Sequence, residues 1–353
     1  MRTKLCGAAL AVLVALLIGE IVVRIVYPTI HMRGDMVPGI YVADEELGAA
    51  LKPDYDGVFL ESFREFSVRT DRHGMRGPNR DPVPVPGEIR VLNLGDSSTF
   101  GMGVADDETF SVRLEHHLDG MTGNRARTWN AGVAGYATRE ELAMLRRLAP
   151  VIRPHVVTIG WLHNDLPRAV TPFPRRLVVI DGYMTRTHEA YLRFRAARDR
   201  RPFWEHSQLA KLAVLNLRIL KHDRNTVARE EEQRAKEVDA AAVEANADQL
   251  AEVVRTAEAA GARCIVMIYG TRQEVVTGEP RPGVRAVMDA LSRRGIPYVD
   301  LVQVFRREME ARDTRLYCLR DSIHPNAAGH DLTAREIAHR IAGTHARGGG
   351  QDG

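Results

Sequence analysis

A serine early in the chain and a histidine–aspartate pair near its C-terminus are the residues best suited to chemistry. Ser97 follows the short apolar run from Ile89 to Leu94, and Gly95 permits a sharp turn before it. Asp321 and His324 are spaced so that the carboxylate can hold the imidazole Nδ1–H and leave Nε2 free as a base. Because a serine hydroxyl is a weak nucleophile without such a base, these residues predict acyl transfer through an acyl-serine. Their alternative interpretation is an ordinary helix cap and a surface loop.

Acyl transfer also needs hydrogen-bond donors for the negative charge that develops on the carbonyl oxygen. Gly135 lies in a segment after a weak strand-like run, where its backbone N–H is not obstructed by a side chain. Asn164 follows the next apolar run, and its side-chain amide is a second donor. The alternative interpretations are a turn glycine and a strand-end cap. The sequence thus predicts a catalytic site made of Ser97, Gly135, Asn164, Asp321 and His324.

The elements that must position these residues are predicted by an alternation of apolar runs and helix-like segments. Short apolar runs are typical of buried parallel strands, and their alternation with helices favours an α/β sandwich. Ligands bind such sheets at the carboxyl ends of the strands, where the candidate residues are expected. The strand-like runs are 89–94, 128–130, 156–159, 264–268 and 297–301. One long helix is predicted from Thr226 to Ala260.

The first 28 residues are predicted to be a membrane anchor. Arg2 and Lys4 precede an apolar run that extends to Tyr27, about 34 Å of helix against a hydrocarbon core of ~30 Å. Glu20 and Arg24 interrupt this run on one helix face, where they can pair. The cationic residues before the span favour a cytoplasmic N-terminus, with the rest of the chain outside. A cleaved signal peptide and a buried soluble helix are the alternatives.

Composition and charge exclude several classes of function. The 353 residues are 44% hydrophobic and 27% charged, as in ordinary globular proteins, which excludes a disordered or low-complexity chain. The net charge of +3 is spread over both signs and gives no concentrated basic face for nucleic acid. With three cysteines, and histidines that lack metal-ligand spacing, we expect neither a metal nor a cofactor. A disulfide between Cys264 and Cys318 stays open, since sequence does not supply its geometry.

The motifs resemble, in their order, the four sequence blocks of the SGNH (GDSL-type) hydrolases over about residues 89–342. The matching blocks are Gly95–Ser98, Gly135, Asn164–Asp165 and Asp321–His324. The resemblance implies a flavodoxin-like three-layer α/β/α sandwich with a five-stranded parallel sheet. It implies that Ser97 is the nucleophile, His324 the base and Asp321 its orienter. It further implies an oxyanion hole made of the Ser97 and Gly135 N–H groups and the Asn164 side chain.

Three other segments bear on this resemblance. The stretches 47–53 and Gly74–Gly77 resemble the lead-in of membrane-anchored bacterial members. Leu162 stands where the family usually has glycine, and its bulk is expected to narrow or reshape the acyl site. An arginine-rich insertion with little strand character, about 166–225, is expected to form a largely helical cap. Its arginines predict a solvated helix face, with contact to anionic lipid headgroups or an acidic glycan as the alternative.

These observations predict a single-pass membrane protein whose SGNH domain lies outside the cytoplasm, in the periplasm or the extracellular space. The predicted organisation is an anchor (1–28), a β-rich lead-in and linker (29–88), a hydrolase domain (89–345) and a disordered tail (346–353). The predicted function is a serine-dependent esterase, with an acyl ester, free or glycan-linked, as substrate and the membrane as the other partner. An O-acyltransferase acting on a cell-surface or exported glycan is the alternative, and a non-catalytic glycan-binding module is the second alternative.

Overall fold

Helices and strands alternate along most of the chain, as the apolar runs predict. The structure, a computed structural model, describes residues 2–348 except 33–38, 62, 124, 171–177, 186, 219, 221–237 and 320. The strands are β1 (Tyr41–Asp44), β2 (Gly48–Leu51), β3 (Asp56–Glu61), β4 (Arg64–Arg69), β5 (Ile89–Gly95), β6 (Ala126–Asn130), β7 (Val156–Trp161), β8 (Val178–Ile180), β9 (Tyr183–Thr185), β10 (Arg263–Ile268) and β11 (Tyr298–Asp300). The helices are α1 (Arg2–Val26), α2 (Ser97–Phe100), α3 (Phe110–Thr122), α4 (Thr138–Ile152), α5 (Leu166–Ala169), α6 (His188–Asp199), α7 (208–218), α8 (Ala240–Ala259), α9 (Arg272–Thr277), α10 (Pro282–Arg293), α11 (Leu301–Arg312) and α12 (Ala327–Gly348).

One five-stranded sheet carries the architecture. Its strand order is β11–β10–β7–β5–β6, and each neighbouring pair is parallel. Every residue of β5 and β7 is buried, as expected for a parallel sheet that helices cover on both faces. The chain visits β5 before β6 at the edge and then returns to β7, which is the flavodoxin-like order with a switch point beside β5. The predicted α/β sandwich with a parallel sheet, preceded by one N-terminal apolar helix, is confirmed.

The chain divides into two compact units. The first comprises Met1–Pro38, Phe59–Glu65 and Thr187–Lys236, and the second comprises Gly39–Val58, Phe66–Arg186 and Glu237–Gly353. The second unit contains the parallel sheet and all five candidate site residues. The first contains α1, α6 and α7.

In the first unit, α1 is long and apolar enough to cross a membrane over Lys4–Val26. Most of its large apolar side chains are exposed. The predicted pairing of Glu20 with Arg24 is confirmed, with an oxygen–nitrogen distance of 2.8 Å. The C-terminal end of α1 joins an apolar cluster with α7. The cluster consists of the buried Val23, Ile30, Met32 and Leu215 and the partly buried Tyr27, Phe63, Trp204, Leu209, Leu212 and Val214.

The lead-in and the insertion consist of short secondary-structure elements. β1 pairs with β2 antiparallel, and β3 with β4 forms a second two-stranded sheet that contains the predicted strands at 58–60 and 66–69. The insertion contains α5, α6 and α7. It also contains the antiparallel hairpin β8–β9, which the sequence did not predict. Strands of three residues are too short for an alternation pattern to stand out.

Two boundaries differ from the sequence-based expectation, and one open question is answered. The helix predicted from Thr226 begins only at Ala240, so the prediction is wrong at 238–239, and 226–237 lie outside the described residues. The Asp239 side chain accepts the Ala242 N–H at 3.1 Å and caps the helix there. At the other end, α12 continues to Gly348, and 349–353 of the predicted tail lie outside the described residues. All three cysteines are free, so Cys264 and Cys318 form no disulfide.

Candidate active site

The candidate nucleophile stands at a turn that its neighbours enforce. Ser97 is the first residue of α2, directly after β5 and its one-residue cap. Gly95 has φ 154°, and a Cβ there would lie 2.1 Å from Thr99 Oγ1, so a side chain does not fit. The Asp96 Oδ1 atom accepts the Ser98 N–H at 2.9 Å and so caps α2. The strand end and this cap together fix the position of the Ser97 backbone.

His324 bridges the serine and the aspartate, as the motif predicts. Its Nε2 atom lies 2.9 Å from Ser97 Oγ, and its Nδ1 atom lies 2.6 Å from Asp321 Oδ2. The second carboxylate oxygen of Asp321 accepts the N–H groups of Ile323 at 2.7 Å and His324 at 3.0 Å. Burial raises the pKa of Asp321, but its hydrogen bonds and its attraction to His324 outweigh burial and hold the pKa below the usual 3.8. The carboxylate therefore stays ionised at neutral pH and can stabilise an imidazolium.

The loop that carries this pair is tied to its surroundings on several sides. The Arg272 N–H donates to the Ser322 carbonyl at 2.7 Å, which fixes the loop beside the segment that follows β10. The Cys318 N–H donates to the His324 carbonyl at 3.0 Å. The side chain of Asn326 accepts the Gly329 N–H at 3.0 Å and caps α12. His324 is therefore held at the carboxyl end of the sheet, where Ser97 also lies.

Asn164 joins the nucleophile turn through a buried aspartate. It lies in the short 3₁₀ turn that follows β7. Its Nδ2 donates to Asp96 Oδ2 at 3.2 Å, while the other oxygen of Asp96 caps α2. Asp96 is fully buried, so it links the candidate nucleophile to the candidate oxyanion donor out of solvent. Sequence reasoning missed this role, although the position of Asp96 directly before Ser97 was a signal for it.

The glycine segment after β6 packs closely against the nucleophile helix. Gly135 has the left-handed φ of 87°, and its carbonyl accepts an N–H of the Arg168 side chain at 2.9 Å. Gly132, which sequence reasoning missed, approaches α2 so closely that a Cβ would lie 2.3 Å from Phe100 N. Both glycines are therefore required by geometry, one by its φ and the other by close approach.

A buried arginine from the lead-in supports the far end of α2. The Arg76 side chain donates to the carbonyls of Phe100 at 2.9 Å and Gly101 at 2.7 Å. It also forms an ion pair with the buried Asp106 at 3.0 Å, and its own side chain is only 1% exposed. The resemblance of Gly74–Gly77 to a family lead-in gave no role for this residue. The structure shows that the lead-in satisfies the C-terminal carbonyls of the nucleophile helix.

Leu162 and His163 directly precede Asn164. Leu162 is buried in the apolar core, and the expectation that its bulk narrows or reshapes the acyl site stays a prediction. Burial, followed by the positive charge of Arg281, lowers the pKa of His163 to about 4, so this imidazole is neutral at neutral pH.

Two buried carboxyl groups lie behind the site. Glu141 and Asp165 are both buried. Burial raises the pKa of each well above its usual value, and the charge of Asp96 adds to that effect for both. The ionised form of each group is therefore disfavoured beside Asp96.

Comparison with solved structures finds several of similar fold. The lipase/acylhydrolase from Enterococcus faecalis is 14% identical, with a TM-score of 0.40 over 72% of this chain and 96% of that one. The enzyme LAE5, from the metagenome of Lake Arreo in Spain, is 18% identical, with a TM-score of 0.41 over 74% of this chain and 97% of that one. A catalytic mutant of the acetylxylan esterase Axe2 from Geobacillus stearothermophilus is 16% identical, with a TM-score of 0.40 over 72% and 94%. No curated protein matches the chain.

Comparison with protein families gives a match that covers the whole site. Residues 94–332 match the GDSL-like Lipase/Acylhydrolase family. The matched range begins just before the turn that carries Ser97, extends past His324, and covers more than half of the chain. The chain therefore belongs to the GDSL-like lipase/acylhydrolase (SGNH) family, whose members are hydrolases that act on esters.

Proposed function

We propose that the protein is a membrane-anchored serine esterase that acts outside the cytoplasm through an acyl-serine intermediate. The observation that carries this proposal is the continuous chain of contacts from Ser97 through His324 to Asp321, at 2.9 and 2.6 Å. A binding module has no need of a base beside a serine, so this geometry favours catalysis over glycan binding alone.

In the proposed first half-reaction, Ser97 Oγ attacks the ester carbonyl carbon and its proton passes to His324 Nε2. The negative charge of the tetrahedral intermediate falls on the former carbonyl oxygen. We assign its stabilisation to the N–H groups of Ser97 and Gly135 and to the Asn164 side chain. The intermediate collapses, the bond to the alkoxy oxygen breaks, and the alcohol leaves with the proton from His324.

In the second half-reaction, water gives a proton to His324 and attacks the acyl-serine. The carboxylic acid leaves, and Ser97 recovers its proton. Asp321 stabilises the imidazolium in both halves because its carboxylate contacts Nδ1. A sugar hydroxyl in place of water would make the same residues an O-acyltransferase, and membership in a family of ester hydrolases favours water as the acceptor.

The fold of the first unit supports retention of α1 as an anchor. Glu20 accepts the N–H groups of Gln208 and Leu209, and Val23 is buried in the apolar cluster beside α7. Cleavage after the apolar run would remove both residues from a unit that they stabilise. Arg2 and Lys4 at the start of the helix favour an N-terminus inside the cytoplasm, and hence a site outside it.

A fluorophosphonate probe followed by mass spectrometry tests the proposed nucleophile on the full chain. We expect one labelled peptide, modified at Ser97, and no labelling of Ser97→Ala. Ser98→Ala is the matched control, because Ser98 is adjacent and buried and its hydroxyl has no hydrogen-bond partner among the described residues. This control is expected to react at the wild-type rate. Labelling at another residue, or activity retained by Ser97→Ala, would overturn the proposal.

A further inference from the structure

The turn before α7 is fixed to the C-terminal part of α1 by charge-assisted hydrogen bonds. The Glu20 carboxylate accepts the Ser207 hydroxyl at 2.8 Å and the N–H groups of Gln208 at 3.0 Å and Leu209 at 2.8 Å. It thereby caps the N-terminus of α7 from another helix. One turn further along α1, Arg24 donates to the His206 carbonyl at 3.1 Å. The two members of the Glu20–Arg24 pair thus hold residues 206–209 between them.

Apolar packing reinforces this attachment. Gly19 leaves so little space beside α7 that a Cβ there would lie 3.2 Å from Leu209 Cδ2. Val23 is buried in the same cluster as Leu215, against which Trp204 and Leu209 pack. The segment from Trp204 to Leu215 therefore lies along the last two turns of α1.

The length of α1 gives the level at which this segment lies in a membrane. From Lys4 the helix rises about 24 Å to Glu20 and about 30 Å to Arg24, so this pair spans the last turn within a hydrocarbon core of ~30 Å. Glu20 and Arg24 therefore come to the outer edge of that core, where polar groups meet lipid headgroups. The turn that binds both of them lies at the same level.

Phe203, at the start of this turn, is 89% exposed, although it is among the largest apolar side chains of the chain. Trp204 follows it, and two cationic residues, Arg200 and Arg201, precede it. Aromatic side chains are enriched at the boundary between headgroups and acyl chains, and arginines near a membrane surface are attracted by anionic lipids. Residues 200–204 therefore have the composition expected at the boundary between headgroups and acyl chains, which is the depth given by the length of α1.

We propose that residues 200–204 form a second membrane contact, in which Phe203 inserts into the outer leaflet beside α1 and the two arginines face its headgroups. This inference rests on the membrane anchorage in the proposed function and is independent of the esterase chemistry. The contact would fix the orientation of the first unit relative to the membrane surface, which a single helix leaves free to rotate.

Tryptophan quenching by brominated lipid tests the contact on the full chain in vesicles that contain anionic lipid. The variant combines Phe203→Trp with Trp204→Phe, and its matched control carries Trp204→Phe alone. The two other tryptophans, Trp129 and Trp161, are buried and report the background. With one of its three tryptophans at the lipid boundary, the double variant is expected to lose roughly a third of its emission in brominated vesicles. The control is expected to lose almost none.

Sedimentation of the same vesicles separates failure of the anchor from failure of the second contact. Protein that sediments with vesicles at high salt but whose introduced tryptophan is not quenched would overturn the second contact and leave the anchor standing. Protein that does not sediment would overturn the anchor and, with it, the contact. Unchanged thermal melting of both variants shows that the comparison is made on folded protein.

Discussion

At the scale of single residues, the titration of one imidazole sets the expected pH dependence. His324 must be neutral to accept the serine proton, so kcat/KM is expected to fall on acidification as this imidazole becomes protonated. Asp321 cannot cause this fall, because its pKa lies below its usual 3.8 and the carboxylate is already ionised well below neutrality. Hydrolysis of an activated ester, measured from about pH 5 to about pH 9, checks the expectation.

His163 supplies the control for this experiment. It lies one residue before Asn164, and burial lowers its pKa to about 4, so it is neutral throughout the measured range. His163→Gln is therefore expected to leave the acidic fall in place, whatever its effect on the maximal rate. If the acidic fall moved by more than about one pH unit in this variant, the titrating group would be His163 and not His324.

A second residue-scale prediction concerns the link between Asp96 and Asn164. In Asp96→Asn, an amide that still accepts the Ser98 N–H would turn its own NH₂ toward the Asn164 NH₂, so two donors would face each other. Asn164 would lose its orientation, and kcat is expected to fall by about 10- to 100-fold, less than the ~10²–10³ for losing an oxyanion donor outright. Stability is expected to change little, since the loss of a hydrogen bond is offset by the removal of a fully buried charge.

A double-mutant cycle distinguishes this positioning role from a general loss of structure. If Asp96 acts through Asn164, the double variant with Asn164→Ala should be no slower than Asn164→Ala alone. The measurements are kcat, KM and urea unfolding for all four proteins. Losses that simply add would show that the two residues act independently, contrary to the structure.

At the scale of elements, the nucleophile helix depends on a lead-in segment that is distant in sequence. Arg76→Met would remove the buried ion pair to Asp106 and take one hydrogen-bond donor from each of the carbonyls of Phe100 and Gly101. Since Asp106 would then keep only the exposed Arg69 as its charged partner, the free energy of unfolding is expected to fall by about 3 kcal/mol. Urea denaturation checks this.

Arg69 is the matched control because it contacts the same aspartate from the surface. Its Nε lies 3.3 Å from Asp106 Oδ2, but its side chain is 60% exposed. Arg69→Met is therefore expected to cost less than about 1 kcal/mol. Equal losses in the two variants would mean that burial does not decide the strength of these pairs.

The elements of the fold also differ in how well the sequence predicts them. The strands were predictable because a buried parallel strand is a continuous apolar run, and the fold follows from their alternation with helices. The start of α8 was not predictable, since an alanine- and glutamate-rich stretch favours helix throughout and only the Asp239 cap marks the first turn. The link from Asp96 to Asn164 and the contact of Arg76 with α2 join segments distant along the chain. Local patterns do not contain such contacts.

At the scale of the whole molecule, the last two turns of α1 belong both to the proposed membrane span and to the folded first unit. The Glu20 carboxylate that would be costly in lipid is used to cap α7, and Val23 completes an apolar cluster. The proposed anchor is therefore continuous with the first unit. It follows that changes in the middle of α1 and changes at its end should have different consequences.

The final prediction uses the middle of α1, where Leu13 is exposed and belongs to no described apolar cluster. The wild-type chain is expected to sediment with membranes and to resist extraction by high salt, because hydrophobic burial is not screened by ions. Leu13→Arg places a charge in mid-span at a cost of about 2.5–3.5 kcal/mol and should reduce the membrane-bound fraction, whereas Leu13→Ile should not. A C-terminal reporter that is active only outside the cytoplasm should be active in the wild-type chain, since Arg2 and Lys4 favour an N-terminus inside. A silent reporter, with a cytoplasmic reporter active in its place, would reverse the proposed topology and put the esterase site on the inner side of the membrane.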